Sequence, residues 1–248
     1  MDQVVTLTEL GNDIVQITMQ DRAARNTFSQ ALIDGLLEVF EKIKNNQTYK
    51  VVILTGYDNY FSCGGTQEEL FKIYRKELDF TELEFFTHPM TLEIPVIAAM
   101  QGHAIGGGLA FACFADFMIL GRENIYTTNF MKYGFTPGMA STYLVPLRFG
   151  QVVGNEMLFT AENYRGEQLQ KRGIQQKVVP KAQVLAAAIS LAEKLAQKPR
   201  LSLKALKAHL IKDIIAKVPS VIEEELQMHS ITFHQPEVQQ RIESLFGQ

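Results

Sequence analysis

Two short stretches near the start of the chain alternate between apolar and polar residues. Val4–Leu10 and Asp13–Met19 place apolar side chains at about every second position, and Gly11–Asn12 lies between them. Such alternation is typical of strands with one buried face, and a glycine–asparagine pair favours a tight turn. The pattern predicts a β-hairpin.

Farther along, continuous apolar runs alternate with stretches of helical periodicity. Val51–Thr55, Val96–Met100 and Phe117–Leu120 are short apolar runs typical of buried strands. Helices are predicted at Phe28–Lys44 with Ser29 near its start, at 66–80 with Thr66 as the N-terminal cap, and from about Leu109. Strands that alternate with helices predict an α/β fold with a partly parallel sheet.

The chain after Gly150 is mostly helical. Tail helices are predicted at Ala182–Ala196, Ser202–Lys217, Val221–His229 and Pro236–Phe246. The stretch "QKPRLS" at 197–202 interrupts this pattern. We therefore expect a core at residues 1–195 and a C-terminal helical region at 196–248.

Composition narrows the class of protein. The 248 residues are 46% hydrophobic, which suits a sizeable core, and the net charge of −3 gives no sign of nucleic-acid binding. Two cysteines favour a reduced compartment over a disulfide framework. No apolar stretch is long enough to span a membrane, and the N-terminus lacks the layout of a signal peptide. We expect a cytoplasmic protein.

Two glycine-rich turns follow predicted strands, at Ser62–Gly65 and Gly106–Gly108. Neighbouring parallel strands would place both turns at one edge of the sheet, where two backbone N–H groups could converge on one oxygen. Such a pair is an oxyanion hole, which stabilises charge developing on a thioester oxygen. The alternative is that the glycines only allow tight turns. The spacing fits neither a dinucleotide fingerprint nor a P-loop.

Four motifs carry a resemblance to the crotonase, or enoyl-CoA hydratase/isomerase, superfamily over nearly the whole chain. They are "DRAARNTFSQALIDGL" at 21–36, "VVILTGYDNYFSCGGT" at 51–66, "EIPVIAAMQGHAIGGGLAFACFADF" at 93–117 and "YGFTPGMASTYLVPLRFG" at 133–150. The resemblance implies an α/β crotonase-like spiral of ββα units with a C-terminal helical trimerisation region. It also implies oxyanion donors at Gly65 and Gly107, and a trimer or a dimer of trimers.

Two departures from the family argue against a hydratase. Family hydratases carry a catalytic glutamate three residues after the second donor and another seven residues before the Pro–Gly pair. These positions are Ala110 and Phe130 here. Both acid/base groups are missing, and we expect the two residues to line an apolar part of the substrate pocket.

The sequence is most similar to one branch, the decarboxylating homologues of polyketide β-branching cassettes. That resemblance implies decarboxylation of a 3-methylglutaconyl group to a 3-methylcrotonyl or isoprenyl-type thioester, through a dienolate. The partner would be an acyl carrier protein of a polyketide synthase. Its phosphopantetheine arm would carry the substrate, and the enzyme would need no cofactor or metal.

The dienolate needs a proton and the departing carboxylate a cation. The branch carries a histidine in the tail motif, and histidine titrates near neutral pH, so His229 is the expected donor and His234 the weaker candidate. Branch members also carry a lysine after the first glycine turn. Helical spacing places Lys72 and Lys76 on one face, and Lys76 is slightly preferred as the cation. Tyr74 and Arg75 are expected within reach of the same site. A merely charged, exposed helix is the alternative.

Other charged residues have weaker assignments. Glu68 and Glu69 are expected to complement the positive end of the helix dipole. A basic rim for the acidic carrier could draw on Arg148, Lys171, Arg172, Lys177 and Lys204. Two other functions stay open: another crotonase-fold isomerase or hydratase with displaced catalytic groups, and a non-catalytic homologue that binds the carrier.

Overall fold

The computed structural model describes residues 3–77 and 84–246. Its strands are β1 Val5–Gly11, β2 Ile14–Met19, β3 Val51–Thr55, β4 Tyr60–Ser62, β5 Val96–Met100, β6 His103–Ile105, β7 Phe117–Gly121, β8 Ile125–Thr127, β9 Tyr164–Arg165 and β10 Lys177–Val179. Its helices are α1 Gln30–Asn45, α2 Gln67–Tyr74, α3 His88–Thr91, α4 Gly107–Cys113, α5 Ser141–Phe149, α6 Gln151–Thr160, α7 Gly166–Lys171, α8 Val184–Ala196, α9 Arg200–Leu210, α10 Lys212–Thr232 and α11 Pro236–Leu245.

The main sheet has six strands in the order β1-β2-β3-β5-β7-β10. Only β1 and β2 are antiparallel neighbours, as the predicted hairpin requires. The other pairs are parallel, with Ile53 beside Ile97 and Ala98 beside Met118. Every residue of β3 and β5 is buried, because α8 covers one face of the sheet and α1 the other. The predicted partly parallel α/β sheet is confirmed.

Capping residues begin two helices where the sequence places them. The Ser29 side chain accepts a hydrogen bond from the Leu32 N–H at 3.2 Å and caps α1. Thr66 caps α2, and Glu69 accepts from the Thr66 N–H at 2.9 Å, which completes a capping box. Such pairs satisfy amide groups that lack helical partners.

A second, four-stranded sheet was not predicted. It has the order β4-β6-β8-β9, and each strand is only two or three residues long. Runs this short show no hydrophobic periodicity. The glycine turns therefore follow β4 and β6, not directly the longer strands β3 and β5.

The predicted boundaries of the two middle tail helices were wrong, whereas α8 and α11 begin and end within two residues of their predictions. One helix was expected at Ser202–Lys217, but the chain divides between α9 and α10, and α10 continues through Pro219. Proline removes one helical hydrogen bond. Val218 and Val221, on either side of it, are buried in the main core, and their packing offsets that loss.

A buried ion pair attaches α9 to the sheet. The Lys207 ammonium lies 2.7 Å from Oδ2 of Asp116 and also donates to the carbonyls of Pro89 and Ile94, each at 3.0 Å. The Asp116 carboxylate accepts a further bond from the Val96 N–H at 2.8 Å. Burial lowers the pKa of Lys207 below its ordinary value, and the Asp116 carboxylate offsets only part of this shift.

Candidate active site

The first glycine turn is held by the segment at 21–28. The Phe28 N–H donates to the Gly64 carbonyl at 2.7 Å, and the Cys63 N–H donates to the Asn26 carbonyl at 3.0 Å. The buried Asn26 amide also donates to the Phe61 carbonyl at 3.1 Å. Gly64 adopts a left-handed φ of +75°, which side chains rarely tolerate. The hydrogen bonds from the segment at 21–28 therefore fix the position of this turn.

The second glycine turn leads into α4. Gly106 has a φ of +54° and precedes the first residue of the helix, Gly107. Its N–H donates to the Thr127 carbonyl at 2.8 Å, which ties the turn to β8. The helix begins two residues before the predicted Leu109, and every residue of α4 is buried.

The two turns meet because β4 and β6 are parallel neighbours. A methyl group added at Gly64 would lie 2.9 Å from the Gly107 nitrogen, so only glycine allows this approach. Among the described residues, neither the Gly65 N–H nor the Gly107 N–H donates a hydrogen bond. The structure thus brings together the two turns that carry the predicted oxyanion donors.

An apolar cluster covers the positions where hydratases carry glutamate. Ala110 and Phe130 are buried in it together with Leu70, Phe135 and Phe233. The Phe130 ring lies edge-on to Phe135, with ring centres 6.1 Å apart. A water molecule at this wall would meet no carboxylate from either position.

His229 lies on α10 and is only 6% exposed. Its Nε2 atom lies 2.8 Å from the Thr136 carbonyl oxygen. The ring stands edge-on to Phe233, at 5.8 Å between ring centres. Burial lowers the pKa of His229 below its ordinary value, and backbone hydrogen bonds to Thr136 and Pro137 oppose this shift. The free protein therefore holds His229 as a mainly neutral imidazole at pH 7.

The segment 136–142 connects His229 with the second glycine turn. A methyl group added at Gly138 would lie 2.7 Å from His229 Cε1, and one added at Gly107 would lie 2.9 Å from Met139 Sδ. Gly138 thus contacts the ring of His229, and its neighbour Met139 contacts the glycine turn at Gly107. Met139 and Ala140 both have left-handed φ values, +60° and +53°.

Glu225 was missed by the sequence analysis. It is 1% exposed and lies one helical turn before His229 on α10. Desolvation raises the pKa of Glu225 to about 7, although hydrogen bonds from Thr142 and Ala140 pull it down. Its spacing of four residues from His229 was the available signal, because it places both on one helix face.

The predicted helical pair of lysines was wrong in its geometry. Helix α2 ends at Tyr74, and Lys76 has a left-handed φ of +61°. The Lys76 N–H donates to the Ile73 carbonyl and the Glu77 N–H to the Lys72 carbonyl, at 3.0 and 2.8 Å. This arrangement is a Schellman motif, which usually contains glycine at the left-handed position. Because Lys76 stands where glycine is usual, the sequence contains no signal for the end of the helix. Residues 78–80, which were predicted to continue this helix, lie outside the described residues.

Lys72 and Lys76 therefore do not share one helix face. Lys72 pairs with Glu68 at 2.8 Å on the outer side of α2. Lys76 is exposed and forms no ion pair with any described residue. The Tyr74 carbonyl lies 2.9 Å from Nδ1 of His234, which joins α2 to the tail after α10.

The candidate basic residues have separate partners. Arg148 donates to the carbonyls of Cys113 and Ala115, at 3.0 and 2.8 Å, and Arg172 binds the Glu156 carboxylate. Lys204 pairs with Glu93. Lys171 and Lys177 are exposed. Arg148 and Lys177 line a common surface cleft.

Within residues 3–77 and 84–246, no group of three or more His, Cys, Asp or Glu side chains could hold a metal ion. Over the same residues, no helix combines the length and the apolar character needed to cross a bilayer.

Fold and site together define a crotonase-type architecture. The chain belongs to the enoyl-CoA hydratase/isomerase family, whose model matches residues 9–246. It is 52% identical over 244 residues to the bacillaene synthase decarboxylase PksI of Bacillus subtilis (strain 168), covering 98% of both chains.

Two solved structures extend this similarity. The ECH2 decarboxylase domain of CurF from Lyngbya majuscula is 49% identical, with a TM-score of 0.96 over 99% of this chain and all of that one. A structure from a dehydratase/decarboxylase enzyme couple involved in polyketide β-branching is 52% identical, with a TM-score of 0.97 over 99% of this chain and all of its own. The predicted crotonase fold and the resemblance to the decarboxylating branch are confirmed.

Proposed function

We propose that this protein decarboxylates a 3-methylglutaconyl thioester on an acyl carrier protein during polyketide β-branching. The observation that carries the proposal is the meeting of the Gly64–Gly65 and Gly106–Gly107 turns beside Ala110 and Phe130. The two turns supply N–H groups that stabilise negative charge, and Ala110 and Phe130 supply no acid/base pair for the addition of water. Relatives named as decarboxylases match the whole chain at about half identity, which supports the same reaction.

The reaction begins by breaking the bond between the substrate's free carboxylate and its γ-carbon. CO₂ leaves, and the electron pair moves through the double bond onto the thioester oxygen to form a dienolate. The N–H groups of Gly65 and Gly107 stabilise that negative oxygen, each contributing about 3 kcal/mol. Return of the electrons to carbon, with uptake of one proton, gives the 3-methylcrotonyl-type thioester.

The surroundings favour loss of the charged carboxylate. The apolar cluster around Phe130 and Phe135 solvates a carboxylate poorly and neutral CO₂ well. His229 supplies the proton in the proposal. Its imidazole is mainly neutral in the free protein, and a substrate carboxylate nearby raises its pKa toward the protonated form. Lys76 is the proposed cation for the departing carboxylate, because Lys72 is already paired with Glu68.

The carrier, the assembly and the compartment belong to the same proposal. The substrate arrives on a phosphopantetheine arm, and the enzyme adds no cofactor of its own. Val152 and Phe159 on α6, and Leu201 on α9, are more than 70% exposed, which supports burial between copies in a trimer or a dimer of trimers. Both cysteines are free, in keeping with the cytoplasm.

Mass spectrometry of the carrier protein tests the reaction. We expect carrier-bound 3-methylglutaconate to lose the mass of one CO₂ with the wild-type protein. His229→Ala should slow that loss strongly, and His209→Ala, at an exposed histidine, serves as the matched control. An unchanged carrier mass under turnover conditions contradicts the proposal. Addition of water to a crotonyl thioester instead would favour a hydratase.

A further inference from the structure

The buried Glu225 carboxylate is fully engaged with the start of α5. Oε2 accepts a hydrogen bond from the Ala140 N–H at 2.7 Å. Oε1 accepts from the N–H and the hydroxyl of Thr142, at 2.8 and 2.6 Å. A negative group at a helix N-terminus is favourable, because the amides there lack helical partners. Glu225 thus joins two elements 83 or more residues apart in the chain.

Glu225 binds an unusual part of the backbone near the site. Met139 and Ala140 are consecutive non-glycine residues with left-handed φ values. This conformation is unfavourable for residues with a side chain and persists where surrounding contacts impose it. The two bonds to the N–H groups of Ala140 and Thr142 are such contacts, because they fix the chain directly after Met139.

Three residues of α10 hold the segment 136–142 from one helix face. Glu225 binds its C-terminal end, and His229 and Thr232 bind its N-terminal end at Thr136. The Thr136 N–H donates to the Thr232 hydroxyl at 3.3 Å. The spacings of four and then three residues place these side chains in one row along the helix.

The same segment contacts the second glycine turn. Met139 is packed so closely on Gly107 that an added methyl group would lie 2.9 Å from its sulfur. A movement at Ala140 would therefore change how Met139 packs on Gly107 and how Gly138 contacts the His229 ring. A carboxylate is also a costly group to bury for helix capping alone, because a hydroxyl satisfies the same amides. The raised pKa of Glu225 reflects that cost.

We propose that Glu225 is a positioning residue for the decarboxylation: by holding Ala140 and Thr142, it fixes the geometry between His229 and the Gly107 turn. Glu225 does not touch the reacting atoms in this proposal. The proposal rests on the proposed function for its catalytic consequence, whereas its effect on the His229 ring is independent of any reaction.

The experiment compares Glu225→Gln with Glu223→Gln in the full-length protein. Gln keeps the shape of Glu225 but loses its charge, and Glu223 is an exposed carboxylate on the same helix. Steady-state CO₂ release from carrier-bound 3-methylglutaconate gives kcat and KM. Ring-nitrogen NMR with ¹⁵N-histidine, assigned with His229→Asn, reports the His229 environment without substrate. Thr142→Val removes only the hydroxyl bond and provides a milder variant.

We expect Glu225→Gln to lower kcat by about 10- to 100-fold with KM nearly unchanged, because displaced catalytic groups impair the transition state more than binding. The His229 signals should shift, Thr142→Val should change both readouts less, and Glu223→Gln should match wild type. A folded Glu225→Gln protein with wild-type kcat and unshifted His229 signals overturns the proposal, as does a loss of thermal stability alone.

Two further outcomes also test whether Glu225 positions His229. If Glu225→Gln does not fold, Thr142→Val replaces it, and wild-type readouts in that variant overturn the proposal. If the wild-type protein releases no CO₂, the proposed function fails. The His229 signals still decide the positioning role: a shift in Glu225→Gln supports it and no shift overturns it.

Discussion

Gly138 lies directly against the imidazole of His229. A methyl group added there would come within 2.7 Å of Cε1 and 3.2 Å of Nε2. Gly138 is not among the glycines with a left-handed φ, so its backbone would accept a side chain. Glycine is required at this position by the histidine ring, not by the conformation of the chain.

Replacing Gly138 with alanine should therefore displace His229. We expect Gly138→Ala to unfold more easily by about 1–3 kcal/mol, the usual cost of overpacking, and to lose most CO₂-releasing activity. In Gly138→Ala/His229→Ala the ring is absent, so the added methyl group has room. The cost of Gly138→Ala, measured by denaturant unfolding, should shrink in that background. Equal costs in both backgrounds would contradict the contact.

Separating the two glycine turns should damage catalysis more than stability. The methyl group of Gly64→Ala would meet the Gly107 nitrogen and the Ile105 carbonyl, each at 2.9 Å. We expect kcat to fall by about 10²–10³-fold, the usual effect of losing an oxyanion donor. Gly11→Ala is the control: it has a similar left-handed φ, +84°, with nothing within 4 Å. Similar kcat values for both variants would rule out this oxyanion geometry.

The pH profile of kcat/KM should report the titration of His229. Burial lowers the pKa of this imidazole below 6.5 in the free protein. A proton donor acts in its protonated form, so kcat/KM should fall as pH rises through the pKa of His229. Protonation of Glu225, whose pKa burial raises to about 7, should give a separate loss toward acid pH. His229→Gln should lack this limb. A limb that survives in His229→Gln would assign the proton to another group.

The ion pair between α9 and the sheet should matter for stability. Lys207→Ala leaves the Asp116 carboxylate buried without its cation, which typically costs about 3–5 kcal/mol. Lys204→Ala removes a neighbouring, more exposed pair with Glu93 and should cost about 1 kcal/mol or less. Chemical denaturation of both variants measures the difference. A Lys207→Ala cost no greater than that of Lys204→Ala would refute the role of the buried pair.

The sequence predicts the parts of this fold that local patterns encode. The hairpin around Gly11, the cap at Thr66 and the apolar strand at Val51–Thr55 all have signals within a few neighbouring residues. The two glycine turns were predicted to share an edge, and the parallel pairing of β4 with β6 brings them together.

The features that were missed depend on distant contacts or on unusual residues. The second sheet has strands too short to show a period. Lys76 ends α2 in a conformation usually adopted by glycine, so no sequence signal marked the helix end. Glu225 looks like one of three consecutive surface glutamates until the fold places it beside Thr142. Its spacing of four residues from His229 is the local signal that separates it from Glu223 and Glu224, and its bonds to Ala140 and Thr142 appear only in the fold.

The apolar wall at Ala110 and Phe130 also has a consequence for the product of the proposed reaction. Loss of CO₂ from a 3-methylglutaconyl group can leave a conjugated thioester, the kind of molecule that hydratases of this family convert to an alcohol. Neither Ala110 nor Phe130 can polarise a water molecule at that double bond. In the proposed reaction, the two apolar side chains at these positions would therefore leave the double bond of the product unhydrated.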